Sequence, residues 1–250
     1  MSKILDAMQG DFGDRTDRAD GVDRLDRPNL AEYKLGTMDM AGLFPPPPEN
    51  LLMELDNITG SLISRRRSDE GMTLVFTSAT SGEGVSFVSY CVARHLAYLL
   101  NGRIAWVDAN YLSPHPKVRN LQPSYRSLLL DPSRADEVAS GGGLTVVGHG
   151  SEEIKHTELL TCGNYEEILA NFKQRFFFTI IDGPAILNAM ETAHMARYCD
   201  GAILVVETRK LKYEIVRHGL EQLRSQGGSI FGTVLNKRAF QIPGFLYRKL

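Results

Sequence analysis

Six short apolar runs recur along this chain, at residues 73–77, 103–107, 144–147, 176–181, 202–206 and 230–235, and they constrain its fold more than any other feature. Each is rich in β-branched and aromatic residues, and the intervals between them are long enough for crossover helices. Strands that are apolar on both faces belong in a sheet covered on both sides. The pattern therefore predicts an α/β domain: a doubly wound, mostly parallel sheet with helices on both faces. No internal repeat at solenoid periods competes with that reading.

Ahead of the first run the chain changes character twice. Residues 10–27 repeat Asp and Arg (Asp14-Arg15, Asp17-Arg18, Asp23-Arg24, Asp26-Arg27) with few apolar residues between them. Such a segment buries too little apolar surface to offset the entropy of ordering, so it is expected to be a solvated tail, or else a docking segment that orders on a partner. Pro45 to Pro48 follow Phe44 and read as a stiff spacer. Between Glu49 and Ser64, Leu51, Leu55, Ile58 and Leu62 recur at spacings of four, three and four, which places them on one helical stripe. The stripe packs either on its own domain or on another subunit. The expected organisation is a disordered Asp/Arg- and Pro-rich tail over 1–48 and one folded domain over 49–250.

A formal net charge of -2 and a pI near 6.3 give no broad positive field, so nucleic acid is not an expected partner. Cys91, Cys162 and Cys199 are odd in number and widely spaced, which argues against a disulfide framework and a zinc site and fits a reduced cytoplasm. His95, His115, His149, His156, His194 and His218 show no metal-ligand spacing. The apolar runs are far too short to cross a bilayer, so any membrane connection is expected to come through a partner.

After the run at 73–77 comes Ser78-Ala-Thr-Ser-Gly-Glu-Gly-Val-Ser-Phe87, a small-residue turn leading into a helical pattern. Strand, turn and helix in this order let main-chain N–H groups and a helix N-terminus converge on an anion, the context of a Walker A phosphate loop. Against GxxxxGK(S/T), Ala79 replaces the first glycine and Val85 the lysine, while Gly82, Gly84 and Ser86 remain. Loss of the lysine removes charge-assisted bonds to phosphate worth roughly 1.5–3 kcal/mol each. Taken alone, such a turn is as readily a tight connection. Two further runs end in aspartate, Asp108 and Asp182, at the strand edge where open parallel sheets bind ligands. The three elements together point to a nucleotide site. Its candidate nucleotide-binding residues are Ser81, Gly82, Glu83, Gly84, Val85, Ser86 and Phe87. Ser86, Asp108 and Asp182 are the candidate magnesium ligands, and Asp108 is a catalytic or vestigial carboxylate.

Over residues 50–240 the chain resembles the bacterial tyrosine kinases that accompany capsular and exopolysaccharide export, and through them the MinD/ParA-like P-loop ATPases. The resemblance rests on Ser81-Gly-Glu-Gly-Val-Ser86 for Walker A, Val107-Asp-Ala-Asn-Tyr-Leu-Ser-Pro114 for Walker A′, and Ile180-Ile-Asp-Gly-Pro184 for Walker B. The segments Gly201-Ala-Ile-Leu-Val-Val206 and Phe231-Gly-Thr-Val-Leu-Asn236 resemble its closing strands. The departures fall on the chemistry: Val85 for the Walker lysine, Asn110 and Leu112 for the second Asp and the Arg of DxDxR, and a single Tyr247 where active members carry a tyrosine cluster. The resemblance implies a degenerate member, a pseudokinase or pseudo-ATPase that serves as a regulatory or scaffolding component of exopolysaccharide synthesis. It implies weak or no Mg-ATP or Mg-ADP binding, and a location at the inner face of the cell membrane through a polysaccharide co-polymerase or another assembly protein. It also implies homo-oligomerisation, although the helix over 49–64 lacks the family's EYRxLRTN pattern.

Two alternatives stay open. One is an active Mg-ATP-dependent ATPase or tyrosine kinase in which another cation replaces the lysine, with Arg103, Lys117 and Arg119 nearby in sequence. The other is a nucleotide sensor that does not hydrolyse. Gly141 to Gly143 read as a flexible connection, and Phe240, Ile242, Phe245 and Leu246 as a segment that folds back or docks on a partner or membrane.

Overall fold

A computed structural model describes residues 43–45, 47, 49–66, 70–141, 143–151 and 164–237. The Asp/Arg segment, His156, Cys162 and the end of the chain with Tyr247 lie outside the described residues.

Six parallel strands form one sheet. They are β1 (Met72–Thr77), β2 (Arg103–Asp108), β3 (Gly143–Val147), β4 (Phe178–Asp182), β5 (Gly201–Glu207) and β6 (Ile230–Asn236), in the spatial order β3-β2-β4-β1-β5-β6. Each of the six predicted runs is a strand. The helices are α1 (Glu49–Arg65), α2 (Val85–Leu100), α3 (Tyr125–Leu130), α4 (Tyr165–Arg175), α5 (Met190–Ala196) and α6 (Tyr213–Ser225).

The continuous apolar character of the inner strands follows from their having two buried faces. Leu74 and Phe76 of β1 join Ile104, Trp106, Phe178, Ile180, Ile203 and Val205 in a core closed by α1 and α2. Val75 joins Val107, Ile181 and Leu204 on the other face, beneath α3, α4 and α6. This alternation is the pleat at work: successive side chains of a strand point to opposite faces.

The stripe on α1 packs within its own domain. Leu55 and Leu62 are buried, Leu51 and Ile58 partly so, all in the core shared with α2. Thr59 also lies on the buried side, its hydroxyl donating to the Leu55 carbonyl at 2.7 Å, and Asp56 meets His95 Nε2 of α2 at 2.7 Å.

The packed body begins earlier than residue 49. Leu43 and Pro47 are buried, and the Phe44 ring lies 5.2 Å from Tyr90, 4.8 Å from His115, 6.0 Å from Phe87 and 6.5 Å from Trp106. Phe44 thus fills an apolar recess of the domain, with Pro45 exposed and Pro47 buried beside it.

Two parallel pairings position the functional edge. Phe76 is level with Asp182 and Asp182 with Asp108, so the carboxyl ends of β1, β4 and β2 finish at one height. The sheet order also brings the ends of β5 and β6 to the side of β1 away from β4.

Candidate functional site

The loop between β1 and α2 is held by its own side chains as much as by its glycines. Gly82 and Gly84 have φ of 84° and 92°, the left-handed region open to residues without Cβ, and a Cβ at Gly84 would collide with the Asn236 amide. Ser78 Oγ donates to the Thr80 carbonyl at 2.7 Å. Ala79 is fully buried, so the place of the missing first glycine is filled by a methyl group within the fold.

Glu83, expected among the nucleotide-binding residues, turns inward and is fully buried. One carboxylate oxygen accepts from Thr80 N at 2.8 Å and Thr80 Oγ1 at 3.1 Å, and the other accepts from Glu207 N at 2.9 Å. A buried carboxylate is retained where donors satisfy it, and here the donors belong to the loop and to β5. Its side chain braces the loop from below, leaving only its main chain to face a ligand.

Val85 opens α2 with 8% exposure and belongs to the apolar core under α1 and α2. The residue that the sequence reading sets against the Walker lysine is thus absorbed into packing. Phe87 is half-buried against Phe44, so it too can offer a ligand only its main chain. Ser81 and Gly82 are exposed at the crest of the loop. Helix α2 has no side-chain N-cap and no acidic residue in its first turn, which leaves its N-terminal dipole to an external anion.

Across from that N-terminus stand the two aspartates. Asp108 is fully buried; its Oδ1 accepts from Asn110 N at 3.1 Å and its Oδ2 from His115 N at 2.7 Å. Burial outweighs these bonds and pushes its pKa up to about 6. Asp182, 1% exposed, is raised well above the usual carboxylate range by burial and then by the Asp108 charge, with the Ser86 hydroxyl acting in the opposite sense. Asp182 Oδ1 has no hydrogen-bond partner among the described residues.

Two adjacent buried carboxylates, one with an orphaned oxygen, and a hydroxyl beside them form a hard-oxygen donor set deficient in positive charge. A magnesium ion fits this set, held by Ser86, Asp108 and Asp182. When bound, it would neutralise phosphate charge at the mouth of the loop.

Of the two residues read as departures from DxDxR, Asn110 has a structural role and Leu112 faces outward. Asn110 Oδ1 accepts from Ser113 N at 3.3 Å, forming a turn, and Leu112 is 45% exposed. Between them Tyr111 donates its hydroxyl to Glu191 at 2.8 Å, pinning the segment to α5.

Two of the cations near in sequence, Arg103 and Arg119, are engaged elsewhere. Arg103 lies at the amino end of β2, over the Phe177 ring at 5.2 Å, at the far end of the strand from Asp108. Arg119 donates to the Ser151 carbonyl at 2.9 Å. Two cations that reach the loop come from beyond β5 and β6. Lys210 Nζ donates to the Ser81 carbonyl and Lys237 Nζ to the Gly82 carbonyl, both at 2.8 Å. Lys237 also meets Glu207 Oε2 at 3.0 Å and Lys210 meets it at 3.5 Å, holding the Glu207 pKa below the carboxylate norm. Asn236 Nδ2 donates to the Glu83 carbonyl at 2.8 Å. A strand-order argument was the only sequence signal for these residues, since β5 and β6 must end beside the loop once β5 pairs with β1.

No helix among the described residues is long and apolar enough to cross a membrane. They also contain no cluster of three or more His, Cys, Asp and Glu side chains that could hold a metal ion.

Comparison with known proteins agrees with the fold. No family model matches the chain. The tyrosine-protein kinase CpsD of Streptococcus agalactiae is 26% identical over 198 residues, covering 67% of this chain and 75% of that protein. The putative tyrosine-protein kinase CapB of Staphylococcus aureus is 22% identical over 199 residues, covering 76% and 86%. Among solved structures, the kinase domain of the Escherichia coli tyrosine kinase ETK superposes with a TM-score of 0.68 at 20% identity, covering 84% of this chain and 85% of that one. The McdA protein of Cyanothece, solved both free and with ATP, superposes with TM-scores of 0.54 and 0.51.

Proposed function

We propose that this chain, a homologue of the bacterial tyrosine kinases built on the MinD/ParA-like P-loop fold, binds a magnesium nucleotide without transferring its phosphoryl group. In this reading it serves as a regulatory or scaffolding component of a capsule or exopolysaccharide system. The observation that carries the proposal is Val85: the residue where a lysine would meet the phosphates is 8% exposed and part of the apolar core. Phosphoryl transfer depends on charge placed in advance around the transferring group, and a valine supplies none.

The retained groups support binding. Gly82 and Gly84 keep the left-handed turn, α2 offers an uncapped N-terminus, and Ser86, Asp108 and Asp182 form a donor set suited to magnesium. The ATP-bound McdA structure shares this fold and supports the same placement of nucleotide. The export setting comes from the kinase resemblance, with a membrane polysaccharide co-polymerase as the partner that would bring the domain to the inner face of the membrane.

The test is calorimetric titration with Mg-ADP and Mg-ATP alongside assays of phosphate release and of phosphate transfer to a tyrosine-containing peptide. Expected are saturable, magnesium-dependent binding and turnover equal to that of Asp182→Asn. Phosphate release by the natural sequence that Asp182→Asn abolishes would refute the non-catalytic reading.

A further inference from the structure

The loop has lost its own lysine, yet two ammonium groups lie against it. Lys210 Nζ and Lys237 Nζ donate to the carbonyls of Ser81 and Gly82, the exposed crest of the turn. A Cβ at Gly82 would lie 3.3 Å from Lys210 Nζ, and one at Gly84 would lie 3.9 Å from Lys237 Cε, so both side chains pass over the two left-handed glycines. Among the described residues the carboxylate that meets both lysines is Glu207, at 3.0 and 3.5 Å, while the Glu83 carboxylate is bound by N–H and O–H donors beneath the loop.

We propose that Lys210 and Lys237 are phosphate ligands that supply binding charge at the crest of the loop, without restoring a cation at the position of Val85, and that the ligand they receive is the magnesium complex of a nucleoside polyphosphate. The ammonium groups now donate to the Ser81 and Gly82 carbonyls and share the single Glu207 carboxylate. An ionised phosphate oxygen adds an opposite charge that a carbonyl lacks, so an arriving polyphosphate draws both lysines from the carbonyls onto itself. The metal half of the ligand is indicated independently. Asp182 is 1% exposed, stands beside Ser86 in the first turn of α2, and keeps Oδ1 without a partner among the described residues. Cations on the crest and carboxylates below it match a ligand that is anionic along its phosphate chain and cationic at its metal.

This inference rests on the loop's being a nucleotide site, and it is separable from the absence of turnover. Calorimetric titration of the full chain with Mg-ADP would compare the natural sequence with Lys210→Gln, Lys237→Gln, the double variant, and the charge-preserving pair Lys210→Arg/Lys237→Arg. The double glutamine variant is expected to bind at least tenfold more weakly, since each charge-assisted contact is worth about tenfold or more. The arginine pair is expected to stay within threefold of the natural sequence. A loss below tenfold in the double glutamine variant, an equal loss in the arginine pair, or no binding by the natural sequence would overturn the proposal. If the double variant does not fold, a loss below threefold in both single variants overturns it. Phosphate release dependent on Asp182 would refute the non-catalytic reading and leave this one standing, whereas unchanged affinity in the glutamine variants would do the reverse.

Discussion

The brace formed by Glu83 predicts a loss of stability that needs no nucleotide to be seen. In Glu83→Ala the carboxylate that accepts from Thr80 N, Thr80 Oγ1 and Glu207 N disappears. The Thr80 hydroxyl sits at the edge of the loop and regains water. The two main-chain donors are left facing a void, and an unsatisfied buried donor costs roughly 1–3 kcal/mol. The expected loss is therefore about 4 kcal/mol, a large share of the ~5–15 kcal/mol typical of a folded domain. Glu83→Gln keeps one acceptor oxygen but turns an N–H toward one of the donors, so its loss is expected to be about half as large. Urea denaturation of the nucleotide-free protein at pH 7 measures both, with the transition midpoint moving and its slope unchanged. A Glu83→Ala protein within 1 kcal/mol of the natural sequence would refute the brace and return Glu83 to the ligand-facing role read from the sequence.

Two further outcomes follow from buried groups. Burial lowers the His149 pKa to about 4, so this histidine contributes stability that is complete above its unfolded value of 6.5 and is lost as pH falls toward about 4. Asp108, raised to about 6, acts in the opposite sense: its contribution is complete below its unfolded value of 3.8 and is lost as pH rises toward about 6. Each amounts to about 3 kcal/mol at 1.36 kcal/mol per pKa unit. In the metal-free protein the stability of His149→Phe relative to the natural sequence should therefore fall by about 3 kcal/mol between pH 4 and 7, and denaturant titrations showing a constant difference would contradict this. Phe44→Ala removes a half-buried ring from contact with Tyr90, His115, Phe87 and Trp106. It should cost about 2 kcal/mol, below the range for a fully buried phenylalanine; an unchanged denaturation midpoint would show that the Phe44 ring contributes nothing to the folded body.

The fold was readable because its cause is local and repeated. Strands with two buried faces must be apolar throughout, and the runs ending in Asp108 and Asp182 mark the carboxyl edge directly. The loop was readable for the same reason, since Gly82 and Gly84 occupy positions only glycine takes easily. What the sequence did not disclose is how distant groups serve main-chain atoms. Lys210, Lys237 and Asn236 bond carbonyls of Ser81, Gly82 and Glu83, and a carbonyl places no demand on residue type that a pattern could register. Glu83 misled because a charged residue in a phosphate loop is expected outside, whereas its donors lie inside. Phe44 was hidden by the prolines after it, which describe a stiff backbone equally well whether the preceding ring is in water or against Tyr90 and His115.

The clasp of the loop by β5 and β6 bears on how such a domain can age. In many phosphate loops the bound nucleotide supplies part of the order, so a lineage that stops using the nucleotide also forfeits the shape. Here Glu83, Asn236, Lys210 and Lys237 fix the turn through contacts within the chain. Under the proposed non-catalytic reading, residues such as Val85, Asn110 and Leu112 can stand in the site without loss of the loop's form. A loop that keeps its form without its ligand allows recognition to outlast catalysis.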